Sequence, residues 1–219
     1  MTSTYTLDDP KVEAALSRMF AHAVHDDATA ARVRAEHGGV MPATPREHSD
    51  AAAGIYMPIS AAGGQLLYAL VRATRPATVI EFGTSFGIST LYLAAAVRDN
   101  GTGRVITTEL SKDKVTAARC TFVETDLDDV ITVLEGDARD TLSRLDGSAD
   151  FVLLDGWKEL CLPVLRILEP RLKPGTLVVA DDVDLASLQP YLSYMRTPAN
   201  GYHSVTFPVE DGMEISCRL

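Results

Sequence analysis

The sequence predicts an α/β fold in which a mostly parallel sheet carries helices on both faces. From residue 77, apolar β-branched runs alternate with helical stretches, a pattern typical of parallel strands joined by right-handed crossovers. The chain closes on "YHSVTFPV" and "MEISCRL" around an "EDG" turn, which predicts an antiparallel hairpin at the sheet edge. We therefore expect a single domain over residues 1–219, with a helical cap at 1–75 and an α/β core at 76–219.

The elements follow from the spacing of apolar residues. Two cap helices are predicted at 8–37 and 58–74, separated by a loop at 37–45 that contains two glycines and two prolines. The parallel strands are predicted at 78–82, 104–109, 130–135, 150–155 and 176–181. The helices between and after them are predicted at 87–98, 111–125, 138–145, 158–172 and 185–196.

Composition narrows the class of protein. The formal net charge of −10 disfavours extended binding to phosphate backbones, so we expect no nucleic-acid partner. The three cysteines, Cys120, Cys161 and Cys217, are widely spaced and form no C-x-x-C pair, which favours reduced thiols in a cytoplasmic setting. Neither a secretory signal nor an apolar run of about 20 residues is visible, so no membrane partner is expected.

Every predicted parallel strand ends in an acidic residue. These residues are Glu81, Glu109, Glu135, Asp155 and Asp181. Acidic residues at such positions often cap the following helix, so one or two of them would not indicate a binding site. However, ligands of open α/β sheets bind at the carboxyl ends of the strands. The regularity therefore predicts a binding site at that edge.

The segment "VIEFGTSFGIST" (79–90) joins the first strand to a helix. Gly83 and Gly87 allow a tight turn and close approach of a ligand, and Ser89 lies in the first helical turn. The spacing is G-x-x-x-G instead of G-x-G-x-x-G, which counts against an NAD-dependent oxidoreductase. A carboxylate at Glu81 suits the amino end of an amino-acid-like cofactor better than a diphosphate.

Two further positions indicate an adenosine group. Glu109, at the end of the second strand, can accept hydrogen bonds from both ribose hydroxyls. Asp137 or Ala138, after the third strand, would then border the adenine. The whole pattern resembles class I S-adenosylmethionine-dependent methyltransferases, which implies a Rossmann-like methyltransferase sheet and S-adenosylmethionine as cofactor.

The second half of the chain narrows the resemblance. "LLDGWKELCLPVLRILEPRLKPGTLVVADDV" (153–183) is similar to the catechol and caffeoyl-CoA type of cation-dependent O-methyltransferase. This resemblance implies that Asp155, Asp181 and Asp182 hold Mg²⁺, or another divalent cation such as Mn²⁺ or Ca²⁺. It also implies Lys158 as the base, acting with Asp155 as the catalytic pair. Homodimerisation is a further expectation at the level of the family.

The resemblance extends to "MPISAAGGQLL" (57–67), before the first strand. The residues expected to bind the cofactor are Met57, Ile59, Glu81, Gly83, Ser85, Gly87, Ser89, Glu109, Leu110, Asp137, Ala138, Asp155 and Trp157. A local depression of its own pKa would help Lys158 to accept a proton. Gly156 is expected to leave room for a bulky acceptor.

Asp182 departs from the family, which usually has Asn there. A third carboxylate would strengthen the attraction for a divalent cation, or Asp182 caps the next helix while Asp155 and Asp181 bind the metal. A third reading has all three as caps and turn residues without a metal.

The predicted function is Mg²⁺-dependent O-methylation of a small aromatic acceptor with adjacent hydroxyls. A phenol has a pKa near 10 and is a poor nucleophile at neutral pH, so a hard cation that binds both hydroxyls would activate and orient it. Hydroxyuridine in tRNA is an alternative acceptor, disfavoured by the net charge. A cofactor-binding protein without catalysis is a further alternative, which the set Asp155, Lys158 and Asp181 disfavours.

Overall fold

The computed structural model describes residues 5–40 and 44–219. Its α-helices are α1 (Pro10–Ala23), α2 (Asp26–Glu36), α3 (Pro45–Ala51), α4 (Ala61–Thr74), α5 (Ile88–Asn100), α6 (Lys112–Glu124), α7 (Ala138–Thr141), α8 (Lys158–Leu168) and α9 (Gln189–Met195). Its strands are β1 (Thr78–Phe82), β2 (Arg104–Glu109), β3 (Ile131–Glu135), β4 (Ala149–Leu154), β5 (Leu172–Ala180), β6 (Tyr202–Phe207) and β7 (Met213–Arg218).

The seven strands form one sheet in the order β3-β2-β1-β4-β5-β7-β6. The first five strands pair in parallel, and β7 pairs antiparallel with both β5 and β6. The predicted mostly parallel sheet with an antiparallel C-terminal hairpin is therefore confirmed. Chain winding starts at β1 and runs outward in both directions, so the reversal lies between β1 and β4, where ligands of open α/β sheets bind.

Alternation along the strands builds a core on each face of the sheet. Val79 packs into the cluster with α1, α4 and α5, whereas Ile80 and Phe82 pack into the cluster with α8 and α9. Because successive side chains of a strand point to opposite faces, Glu81 must lie on the same face as Val79. This alternation determines which side chains Glu81 can contact.

The N-terminal region differs from the prediction in two places. The expected helix at 8–37 is two helices, α1 and α2, with a break at Val24 and His25. The break allows the Asp26 carboxylate to accept hydrogen bonds from the backbone N–H groups of Tyr56 and Met57, at 2.9 and 2.7 Å. These two hydrogen bonds link residues that are separated by 30 and 31 positions in the sequence, so the local periodicity of the sequence does not predict them.

The predicted loop at 37–45 is only partly within the described residues, because 41–43 lie outside them. Gly38 and Gly39 have positive φ, as expected of a loop. The chain then forms α3, which was not predicted; Thr44 caps it by accepting from the Glu47 backbone N–H, and Pro45 starts it. Over 5–40 and 44–219, none of the helices has the length and apolar character needed to cross a bilayer.

Candidate active site

A cavity of about 240 Å³ opens at the carboxyl ends of β1, β2, β3 and β4. Its lining includes residues 56–59, 84–86 and 114, among which Ser85 bonds with both Tyr56 and Lys114, and residues 136–138, 157 and 160. Glu109 contacts both groups, through Ser85 and through Gly136. Eleven of the predicted cofactor residues line it: Met57, Ile59, Gly83, Ser85, Ser89, Glu109, Leu110, Asp137, Ala138, Asp155 and Trp157.

Glu109 is fixed at the tip of β2 by backbone N–H groups. One carboxylate oxygen accepts from Ser85 at 2.8 Å, and the other accepts from Leu110 and Ser111, each at 2.8 Å. These three bonds orient the carboxylate and leave about one of its four or so lone-pair sites for a ligand. Ser85 has a positive φ of 48°, which turns its N–H toward Glu109.

Gly83 is required by a close backbone approach. It has a φ of 104°, and a Cβ atom there would come within 2.7 Å of the Asp155 carbonyl oxygen. Gly87 is required for a different reason, because its Cβ would meet the Phe122 ring at 2.6 Å. Gly87 does not line the cavity, so its role here is to let α5 pack on α6.

Glu81 does not face the cavity, contrary to the expectation that it meets a cofactor amino group. It is fully buried on the α5 face, where Ser89 and Thr90 donate hydroxyl hydrogen bonds to its two carboxylate oxygens at 2.6 and 2.5 Å. Burial raises the pKa of Glu81 to about 7, although those hydroxyls oppose the shift. Glu81 therefore ties β1 to the start of α5 from beneath the glycine loop.

The second group of lining residues includes apolar side chains. Trp157 stacks on His48 of α3 with ring centroids 4.0 Å apart, and Ala138 and Leu160 also line the cavity. Asp137 caps α7 by accepting from the Arg139 backbone N–H at 2.8 Å. The side-chain hydrogen bond from Arg139 holds the pKa of Asp137 below its usual value.

The three aspartates predicted from β4 and β5 converge beside the cavity. One carboxylate oxygen from each of Asp155, Asp181 and Asp182 lies within 4.8 Å of the other two. Asp182 adopts a left-handed backbone with a φ of 59°. It does not cap the next helix, because α9 begins after Leu188 without a side-chain cap. The structure thus favours the interpretation in which all three carboxylates share one location.

Burial and mutual repulsion disfavour charge on this cluster. Burial raises the pKa of Asp181 to about 8, and the charges of Asp155 and Asp182 add to the shift. Burial likewise raises the pKa of Asp155, against the opposing effect of Lys158. Three carboxylates within reach of one ammonium make a place that gains from an added cation.

Lys158 is the ammonium at this cluster. Its Nζ lies 2.7 Å from an Asp155 oxygen and 2.9 Å from an Asp182 oxygen. Burial acts to lower the pKa of Lys158, but the two carboxylates outweigh it and raise the pKa above its ordinary value. The expected depression of this pKa is therefore wrong, because Lys158 beside these two carboxylates holds its proton.

Gly156 has a packing role that the sequence did not reveal. A Cβ atom at Gly156 would lie 2.5 Å from the Phe82 ring, so glycine is needed there for this packing, and Gly156 also lines the cavity. Phe82 itself lines the cavity. His48, which the sequence marks only as a weak candidate beside the loop at 37–45, stacks its ring on Trp157 from α3. No local sequence pattern predicts the contact of Gly156 with Phe82 or that of His48 with Trp157, because both depend on how distant elements pack together.

Comparisons with known proteins agree with this geometry. A family model described as a methyltransferase domain matches residues 80–183. Catechol O-methyltransferase B of Danio rerio is 31% identical over 170 residues, which cover 71% of this chain and 63% of the relative. A probable O-methyltransferase of Mycobacterium tuberculosis is 35% identical over 144 residues, covering 61% and 60%. The chain thus spans somewhat under two thirds of the length of these relatives.

Solved structures extend the likeness over most of the chain. An O-methyltransferase from Bacillus cereus in complex with S-adenosylhomocysteine has a TM-score of 0.69 at 19% identity, covering 92% of this chain and all of that one. An O-methyltransferase of Streptomyces achromogenes involved in tomaymycin synthesis, in complex with S-adenosylmethionine, has a TM-score of 0.68 at 19% identity, covering 86% and 96%. At these identities the likeness shows the fold. The family model and the sequence relatives identify residues 80–183 as a methyltransferase domain that is similar in sequence to catechol O-methyltransferase.

Proposed function

We propose that the protein transfers a methyl group from S-adenosylmethionine to one hydroxyl of a small aromatic acceptor that carries two adjacent hydroxyls, with Mg²⁺ or a similar divalent cation. The observation that carries the proposal is the convergence of Asp155, Asp181, Asp182 and Lys158 at the edge of the cavity that also contains Glu109. In this proposal residues 76–219 hold cofactor and metal, and residues 1–75 cover them within the same domain.

The cofactor assignment is supported by the lining of the cavity. The anchored Glu109 carboxylate offers a remaining acceptor to a ribose hydroxyl, and the surfaces of Ala138 and Trp157 suit an adenine. The Bacillus cereus relative of the same fold was solved with S-adenosylhomocysteine, and the Streptomyces relative with S-adenosylmethionine. Asp155 lines the cavity near the junction with the acidic cluster, so cofactor and acceptor would meet there.

The residues present fit a divalent cation. All three donors are carboxylate oxygens, which hard cations such as Mg²⁺ prefer. The raised pKa values of Asp155 and Asp181 indicate that this cluster lacks positive charge. The partial exposure of Asp182 gives water and an acceptor access to the cluster from one side.

In the proposed reaction the metal and the protein side chains would have different roles. A bound Mg²⁺ would supply Lewis acidity that lowers the pKa of an acceptor hydroxyl. Asp155, Asp181 and Asp182 would hold that ion, and the cavity walls would align the acceptor for in-line displacement. If a cation shared the charge of Asp155 and Asp182, these two carboxylates would raise the Lys158 pKa less. Lys158 could then release its proton to solvent and, as a neutral amine, take the proton of the acceptor hydroxyl.

The acceptor class predicts a sharp dependence on hydroxyl geometry. With S-adenosylmethionine and Mg²⁺, catechol should be methylated at least about 100-fold faster than phenol, resorcinol or guaiacol, because only adjacent free hydroxyls can both reach one ion. The measurement is methyl transfer followed by chromatography of the products. Equal rates for catechol and resorcinol would contradict the proposal that two adjacent oxygens share the metal.

A further inference from the structure

A buried lysine in the cofactor cavity has no role in the chemistry described so far. Lys114 is the third residue of α6, is 3% exposed, and lines the cavity. Its ammonium donates a hydrogen bond to Ser85 Oγ at 3.1 Å and lies 5.5 Å from the centroid of the Phe86 ring. Ser85 Oγ in turn donates to the Tyr56 carbonyl at 2.6 Å. The charge therefore sits beside the glycine loop.

This placement is unfavourable in the protein alone. Within residues 5–40 and 44–219, no carboxylate oxygen is within ion-pair distance, 4.0 Å, of the Lys114 ammonium. A buried charge without a counter-ion is costly, and a cation in the first turn of a helix also opposes the helix dipole. Burial lowers the pKa of Lys114 to about 8, although Glu109 and Asp26 act in the opposite direction. An anionic ligand would remove these penalties.

The cavity indicates which anion this is. Glu109 contacts two groups of lining residues: its carboxylate accepts from Ser85, which lies with Tyr56 and Lys114, and its backbone carbonyl accepts from Gly136, which precedes the apolar Ala138. If ribose binds at Glu109 and adenine binds beside Ala138, the amino-acid part of the cofactor extends toward Lys114. The first residues of α5, Ile88 and Ser89, also line the cavity, and the N-terminus of this helix of 13 residues favours an anion.

We propose that Lys114 binds the α-carboxylate of the methionine portion of S-adenosylmethionine. The inference rests on the proposed function, because it takes the orientation of the cofactor from Glu109. It assigns to Lys114 the recognition of the amino-acid end, for which Glu81 was expected from the sequence. Glu81 is sealed behind the loop, so the cavity-facing charge at this end is a cation.

The test compares three ligands by isothermal titration calorimetry. S-adenosylhomocysteine has the carboxylate, its decarboxylated analogue lacks only that group, and 5′-methylthioadenosine lacks the whole amino-acid portion. In the wild type, removal of the carboxylate should weaken binding about 10- to 100-fold, the range for a hydrogen bond between charged groups. Lys114→Met should weaken S-adenosylhomocysteine binding by a similar factor and leave 5′-methylthioadenosine within about twofold.

Lys112→Met is the matched control, since Lys112 is an exposed lysine of the same helical turn. It should leave all three affinities unchanged, and thermal melting should show that both variants are folded. Equal losses for all three ligands in Lys114→Met would overturn the assignment in favour of general support of the loop. A wild type that binds S-adenosylhomocysteine and its decarboxylated analogue equally would overturn it without any variant. A wild type that binds none of the ligands would instead contradict the proposed cofactor.

Discussion

Replacing Asp181 by asparagine should lower the affinity for Mg²⁺ at least about 100-fold while leaving cofactor affinity unchanged. Asn preserves the size of the side chain but removes one charge from the three-carboxylate cluster. At an effective dielectric constant near 20, two unit charges 4 Å apart interact by about 4 kcal/mol, and about 1.4 kcal/mol corresponds to a tenfold change in affinity. Asp181 does not line the cofactor cavity, so S-adenosylhomocysteine binding should report no change.

The same substitution should change the pH dependence of stability in the metal-free protein. An aspartate in an unfolded chain titrates near pH 3.9, whereas burial raises the pKa of folded Asp181 to about 8. The stability linked to this group is thus fully present below about pH 4 and is lost as pH rises toward 8. The melting temperature of the wild type in EDTA should fall from pH 5 to pH 8.

In Asp181→Asn that fall should be shallower, because Asn does not titrate. It should not vanish, since Glu81 has a pKa raised to about 7 and contributes with the same sign. The exposed neighbour Asp184 provides the control: Asp184→Asn should keep the wild-type slope and the wild-type Mg²⁺ affinity. The interpretation fails if Asp181→Asn binds Mg²⁺ like the wild type and melts with an unchanged pH slope.

Replacing Lys158 by methionine should reduce kcat by about 100- to 10,000-fold, the range for loss of a general base. Mg²⁺ affinity should stay the same or increase, because the ammonium that competes for Asp155 and Asp182 is gone. These opposite effects separate proton transfer from metal binding. The measurements are single-turnover methyl transfer at saturating cofactor and Mg²⁺ titration of the same sample.

Two further variants sharpen this test. Lys158→Arg keeps the positive charge but cannot release a proton near neutral pH, so it should not restore activity. Lys173→Met removes an exposed lysine on β5 and should behave as the wild type. Near wild-type turnover in Lys158→Arg would show that the position needs a charge and not a base.

The fold was largely predictable because its signal is local and repeated. Apolar β-branched runs located β1 and β2 at their observed boundaries, and the other strands within a few residues. The helix α3 was missed because it is only seven residues long and directly follows a loop rich in glycine and proline. Short helices of this kind depend on caps and tertiary packing more than on periodicity.

The site was predictable where it depends on strand ends, and less so where it depends on side-chain direction. Asp155, Asp181 and Asp182 meet because parallel strands end at one edge. Glu81 lies one residue before the end of β1 but points to the α5 face, where two hydroxyls hold it. Lys114 looks like an ordinary surface lysine of a helix in the sequence, and only the packing of the loop against α6 buries it.

The central claim, that a divalent cation held by the aspartate cluster is needed for methyl transfer, is tested most directly by chelation. Catechol and S-adenosylmethionine are incubated with the protein in EDTA, then with Mg²⁺ added back, while S-adenosylhomocysteine binding is measured in the same buffers. We predict that EDTA lowers the rate at least about 100-fold, that Mg²⁺ restores it, and that cofactor binding persists throughout. Methyl transfer to catechol that continues unchanged after complete chelation would contradict the claim.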